Sequence, residues 1–423
     1  MKPRYLAASL ALALAILAGC HSDDSLNPPA SPPVPSGGAI FQRYVALGNS
    51  ITAGVQSAGI NDSTQARSYA LLVAEAMGTS FIYPRLNMPG CPPPFLNNVT
   101  QTRVNLPGLP PPDDMTCYLR QSNVTPNNVA VPFARATEVL TNFAVPSRAN
   151  ALTTMFLGGR NQVKAMRDQN PTFVSLWIGN NDALAALTNL VNPGNPDSVT
   201  DVAVFQSQYT AILDSIAATG AQAVLLTVAD ISVIPYASRG SVYWCLRTGL
   251  CPGIPQQLPS ALTVSNNCAP NAAIPGSKGD SILVPWPIGV PKIAAAAAGQ
   301  PTTLDCSVDT DVITPSEYAG LRNAVLGFNT FIQTQAATRG YAFVDVNPPL
   351  LQKVGTGEIP PFPDLSQALS GGNIGFGPLF SLDGVHPSTV AHRLVADSVA
   401  SAINQKYGTT LPVPVCGAIS CPN

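Results

Sequence analysis

Three short blocks of this sequence carry residues able to attack an electrophile and move a proton: Gly48-Asn49-Ser50-Ile51-Thr52-Ala53-Gly54, Gly179-Asn180-Asn181-Asp182 and Asp383-Gly384-Val385-His386-Pro387. A serine hydroxyl is a weak nucleophile at neutral pH and needs a base, and an imidazole base needs a carboxylate to fix its tautomer. Asp383 and His386, three residues apart ahead of a helical stretch, can meet through one short loop. The chain has only three histidines; His21 lies in a Pro/Ser-rich tract, and His392 falls inside the helix on another face. If the chemistry is Ser/His chemistry, His386 is the base by elimination, and His392→Ala is expected to be nearly silent. Asn181 offers a neutral amide donor, which stabilises an oxyanion without itself titrating. Each block also has a plainer reading. Ser50 is as good a helix cap as a nucleophile, and Asn-Asp after Gly is as good a turn. Thr52 stands where a Gly-x-Ser-x-Gly elbow would have its second glycine.

Elements of alternating type must position these blocks. Five apolar runs read as strands buried on both faces: Arg43–Gly48, Asn128–Val131, Thr172–Ile178, Ala221–Val228 and Tyr341–Val346. Helical stretches lie between and after them, at Ser68–Met77, Thr154–Gln169, Val202–Thr219, Ser316–Thr338 and Pro387–Lys406, several ending at Gly. Strand and helix in alternation predict an α/β fold, an open parallel sheet with helices on both faces. Ser50 then sits at the carboxyl edge of the first strand, where such sheets bind ligands. Two Pro-rich insertions, 80–127 and 231–314, break the rhythm. Their apolar residues (Phe95, Leu96, Val284, Trp286) predict either an apolar groove for the substrate or a small core of the insertion's own.

The net charge of −2, with only 10% charged residues and no basic stripe, argues against nucleic acid as a partner. Lys2 and Arg4 precede an apolar run from Tyr5 to Ala18, shorter than the about 20 residues a spanning helix needs. The run ends in Leu17-Ala18-Gly19-Cys20, which resembles the lipobox of bacterial lipoproteins. That resemblance implies a signal peptide over 1–19, lipidation of Cys20, and an exported protein anchored in a membrane, the outer one if the cell has two. Residues 20–39 are then a Pro/Ser-rich tether that cannot build a core. Eight further cysteines, an even number in an oxidising compartment, fall into local pairs: Cys91–Cys117, Cys245–Cys251, Cys268–Cys306 and Cys416–Cys421. There is no Cys-x-x-Cys, and a metal centre is not expected.

Taken in order, the three blocks resemble the SGNH, or GDSL-like, hydrolase family over about Arg43 to Lys406. The resemblance implies a flavodoxin-like three-layer α/β/α sandwich over 40–408, with a sheet of about five strands and a tail over 409–423. It implies a Ser50–His386–Asp383 triad, no cofactor, and an oxyanion hole of the Ser50 N–H, the Asn181 side chain and a third donor. Two departures stand out: Asn49 replaces the family's Asp before the nucleophile, and Phe133 replaces its glycine in the second block. The third donor is therefore the Phe133 N–H, or that of Gly90 in Met88-Pro89-Gly90-Cys91. The expected reaction is hydrolysis of carboxylic esters, of lipid or acyl-chain type. The alternatives are an acyltransferase, a polysaccharide O-acetyl esterase, and a non-catalytic surface-binding lipoprotein. Oligomeric state is not legible.

Overall fold

The computed structural model describes residues 38–119, 125–143, 148–253 and 256–415. Its centre is a parallel sheet of four strands, β1 (Tyr44–Gly48), β2 (Phe173–Trp177), β3 (Gln222–Leu226) and β4 (Ala342–Val344), paired in that order. The register sets Gly48 opposite Trp177 and Leu176 opposite Leu225. Every residue of β1 and β2 is buried, so these strands read as continuous apolar runs.

The expected fifth strand, Asn128–Val131, is instead a single parallel bridge from Asn128 to Ala46. The segment does run beside β1: Ala46 N donates to Asn127 O and Val129 N to Ala46 O, both at 2.9 Å. Two features stop it from extending. Prolines 126 and 132 remove donors at both ends, and the Asn128 side chain accepts from Ala130 N (3.2 Å) and donates to Thr52 O (2.8 Å). With this segment outermost, its spatial order relative to the chain is 2-1-3-4-5, the flavodoxin-like arrangement.

Helices cover both faces. On one, α1 (Ser50–Ala53) leads to α2 (Tyr69–Met77), which packs with the C-terminal helix α7 (Thr389–Tyr407) on Ala46, Val224 and Val344. On the other, α3 (Gln162–Asp168), α4 (Asn180–Leu187), α5 (Val202–Ala217) and α6 (Pro315–Arg339) share one core with Val45, Leu47, Val174 and Leu225. Alternate residues of each strand thus feed opposite layers. Capping follows the sequence: Ser68 and Gly78 bound α2, Ser388 and Gly408 bound α7, and a Thr314/Glu317 capping box with Gly340 bounds α6. The helix expected over Thr154–Gln169 is broken. Arg148–Leu157 ends at Gly158-Gly159, both at positive φ, and α3 starts afresh with Asn161 as its cap.

Three of the four expected disulfides are present, Cys91–Cys117, Cys245–Cys251 and Cys268–Cys306. Such bridges persist in oxidising compartments, as in an exported protein. Cys416–Cys421, Cys20, the signal segment and most of the tether lie outside the described residues. Among the described residues no helix is long and apolar enough to cross a membrane. The 231–314 insertion has a core of its own, built from Tyr243, Trp244, Leu262, Val284, Ile293 and Leu304. Val284 is therefore not a groove wall.

Candidate active site

The chain leaves β1 through Gly48, and only glycine suits that position. A Cβ there would lie 2.2 Å from Thr52 Oγ1 and 2.8 Å from the Trp177 carbonyl. Both polar groups of the Gly48 peptide are held by one side chain: Gln162, fully buried on α3, accepts from Gly48 N at 3.0 Å and donates to Gly48 O at 2.8 Å. Asn49 then caps α1, its Oδ1 accepting from Ile51 N at 3.1 Å. Asn for Asp at this position keeps the cap. Ser50 is the first residue of the short helix, and Gly54 closes it at φ +94°, its N–H directed to Ser50 O and Ile51 O.

The loop before α7 delivers the other two groups. His386 Nε2 lies 2.9 Å from Ser50 Oγ, and His386 Nδ1 lies 2.8 Å from Asp383 Oδ2. The network assigns the tautomer: Nδ1–H donates to the carboxylate, leaving Nε2 to accept from the serine hydroxyl. Asp383 Oδ1 accepts from the backbone N–H groups of Val385 and His386, at 2.9 and 2.8 Å. Its Oδ2 also accepts from Ala58 N at 2.6 Å. Burial pushes the Asp383 carboxyl up, but the His386 charge and these hydrogen bonds outweigh it and hold the group at about 2.

Sequence reasoning missed the clamp on this loop. Ser57 and Ala58 both adopt left-handed backbone, φ 54° and 52°. Ser57 N donates to Ser381 Oγ (2.8 Å), and Leu382 N donates back to Ser57 Oγ (3.3 Å). Two successive non-glycine residues at positive φ are costly, so the surroundings must impose them. Nothing in the local sequence marks them. Gln162 carried no signal either, since a glutamine on a helix is ordinarily a surface residue.

The oxyanion candidates are placed unequally. Phe133, half exposed and at φ +70°, lines a cleft of about 140 Å³ together with Ser50, His386, Val55 and Leu152. Gly90 is not in that wall, although its neighbours Cys91 and Pro92 are. Gly90 has its own structural demand, since at φ +136° a Cβ would lie 2.4 Å from the Ile60 carbonyl. Asn181 Nδ2 donates to the Ala134 carbonyl at 2.9 Å, tying the end of β2 to the segment that carries Phe133. A carboxamide has two N–H groups, so one remains for a second acceptor. Asp182 completes the tie, its buried Oδ2 accepting from Ala136 N at 3.0 Å. Burial raises its carboxyl to about 6, against the lowering effect of its hydrogen bonds to Thr200 and Ala136. Gly179 before them is at φ +114°, where a Cβ would lie 2.6 Å from Val228 Cγ2.

His392 differs from expectation. It is fully buried, its Nδ1 accepts from Tyr69 N at the start of α2 (3.2 Å), and its ring stacks on that of Tyr69. Burial lowers its pKa to about 3, with a smaller contribution from the charge of His386. A residue so placed is silent at most in turnover, and not in stability. Of the two alternatives for the insertion's apolar residues, a core of its own is the one found for Val284, and Trp286 does not face a groove either. Trp286 packs between Tyr236 and Phe376, and the larger apolar cavity is lined by α1, α7 and the 347–355 helix, with Ile231 and Ile234 from the start of the second insertion.

The sequence profile described as GDSL-like Lipase/Acylhydrolase matches residues 44–399. No curated protein matches the chain in sequence. Among solved structures the chain is similar to a catalytic mutant of an acetylxylan esterase from Geobacillus stearothermophilus. Identity is 10%, the TM-score 0.37, and the match covers 88% of this chain and 95% of that one. It is also similar to an extracellular lipase from Streptomyces rimosus, with 17% identity, a TM-score of 0.36, and 86% and 98% coverage.

Proposed function

The chain belongs to the GDSL-like Lipase/Acylhydrolase family, and from that premise we propose that it is an ester hydrolase working through Ser50, His386 and Asp383. The observation that carries the reading is the unbroken relay, 2.9 Å from Ser50 Oγ to His386 Nε2 and 2.8 Å from His386 Nδ1 to Asp383. Ser50 Oγ attacks the ester carbonyl carbon while its proton passes to His386 Nε2. The tetrahedral intermediate expels the alcohol, which takes that proton. His386 next deprotonates a water that attacks the acyl-enzyme, releasing the carboxylic acid and restoring Ser50. Asp383, held ionised, stabilises the imidazolium formed in each half-reaction. The negative oxygen is received by the Ser50 N–H, the free N–H of Asn181 and the Phe133 N–H. Phe133 is preferred to Gly90 because it lines the same cleft as Ser50.

The substrates proposed are lipid or acyl-chain esters, met at a membrane by an exported protein lipidated at Cys20 and held on the 20–39 tether. A second reading, a polysaccharide O-acetyl esterase, is favoured by the size of the Ser50 cleft, about 140 Å³. A fluorophosphonate probe should label the wild-type protein and not Ser50→Ala. Equal labelling and equal ester turnover in the two proteins would refute the assignment.

A further inference from the structure

Ser57 and Ala58 turn their N–H groups to one part of the chain and their carbonyls to another. The N–H groups go to the loop ahead of α7, Ser57 N to Ser381 Oγ and Ala58 N to Asp383 Oδ2. The carbonyls go to the first insertion. Phe95 N donates to Ser57 O at 2.8 Å, and Arg103 Nη1 donates to Ala58 O at 3.1 Å. The same nitrogen donates to Pro93 O at 2.7 Å, and the guanidinium lies over the Phe95 ring, 4.0 Å from its centroid. Phe95 and Arg103 are themselves partners in a short antiparallel pair of strands, Phe95–Asn97 with Thr102–Arg103. Arg103 is only 6% exposed, an uncommon place for a cation.

Taking a charge out of water is costly, and Arg103 directs hydrogen bonds from its buried head to backbone carbonyls. What it holds is a backbone that neither Ser57 nor Ala58 favours, at φ 54° and 52°. A guanidinium suits this task, because the two N–H groups on one planar nitrogen diverge in fixed directions toward two acceptors. We propose that Arg103 is a positioning residue for the catalytic carboxylate. By fixing the Ala58 carbonyl it aims the Ala58 N–H at Asp383 Oδ2, the oxygen that also receives His386 Nδ1–H. Asp383 is thereby kept in the rotamer that turns the imidazole toward Ser50. Arg103 acts through the backbone: Ala58 and Gly59 line the Ser50 cleft, and Arg103 does not. This role rests on the ester-hydrolase reading, and it makes the first insertion part of what orders the triad.

The test is a double-mutant cycle on p-nitrophenyl acetate turnover, with Arg103→Met and Asp383→Asn alone and together, the slow variants being followed in single turnover. Methionine keeps an unbranched apolar stem over Phe95 and loses the donors. In the wild-type background Arg103→Met should lower kcat by about 10²-fold, the loss typical of a small misplacement of a reacting group. KM should stay within about threefold, since no contact with substrate is removed. In the Asp383→Asn background the same substitution should cost less than about threefold, because the group it positions is already gone. Equal fold-losses in the two backgrounds would mark a general structural role and overturn the proposal. A raised KM at unchanged kcat would put Arg103 on the substrate and overturn it as well. Thermal unfolding checks that each variant is folded at the assay temperature. If Arg103→Met is not, Arg103→Lys takes its place in the cycle, and the same non-additivity is expected of it. Failure of the hydrolase reading would appear separately, as turnover retained in Ser50→Ala.

Discussion

His392 makes the fold sensitive to mild acid, and replacing it with Asn should remove that sensitivity. The ring is fully buried, with Nδ1 accepting from Tyr69 N, and burial holds its pKa near 3 against 6.5 for the free side chain. The folded state therefore binds fewer protons than the unfolded state between those values. Stability is unaffected above pH 6.5 and falls as the pH drops below it, levelling off only near 3. At pH 5 the unfolded imidazole is charged and the folded one neutral. The roughly 1.5 pH units below the free value, at about 1.4 kcal/mol each, amount to about 2 kcal/mol. Asn can place Oδ1 where His has Nδ1, which retains the acceptor for Tyr69 N without a titrating group. Urea unfolding of the wild-type protein and His392→Asn at pH 8, 7, 6 and 5 measures the effect. The variant should be less stable at pH 8, from lost packing, and should gain on the wild type by about 2 kcal/mol at pH 5. Groups whose titration does not depend on residue 392 cancel in the difference. A stability difference that stays constant from pH 8 to 5 would refute the reasoning.

Asp383→Asn should lower kcat by roughly 10⁴-fold, because Asn cannot fix the required imidazole tautomer; a change below tenfold in ester turnover would count against its role. The same carboxylate, held near 2 against 3.8, stabilises the fold above pH 3.8 and loses that contribution as the pH falls toward 2. Gln162→Ala should cost about 2–4 kcal/mol, because it leaves the Gly48 N–H buried without its partner and opens a cavity; thermal unfolding measures it. Phe133→Gly keeps the backbone donor and relieves a left-handed φ of 70°. It should raise stability by up to about 1 kcal/mol and hold acetate turnover within a few-fold, as steady-state kinetics would show.

Much of the site was legible because its residues are punctuated by local signals. Gly48, Gly54 and Gly179 mark sharp turns, and with only three histidines the proposed base could be singled out by elimination. Strand identity was legible where a run is buried on both faces, as in β1 and β2, and failed at Asn128–Val131. That segment is as apolar as a strand, but its prolines and the Asn128 side chain limit it to one bridge. The Thr154–Gln169 helix failed at Gly158-Gly159, where glycine conformation outweighed apolar periodicity. The local cysteine pairs agreed with the three described bridges.

The sequence by itself determined the alternation of strand and helix, the order of the three motif blocks, and which histidine could serve as base. All of these depend on residue type and near-neighbour spacing, which the chain carries before it folds. Only the tertiary structure decided which groups hold those residues in place. Gln162 reaches Gly48 across more than a hundred residues, and Ser57 and Ala58 reach Ser381 and Asp383 across more than three hundred. It also decided that His392 is buried and neutral, and that the larger apolar cavity lies along α7 and not between the insertions. Burial and long-range contact are properties of the packed chain, and no local pattern of residues encodes them.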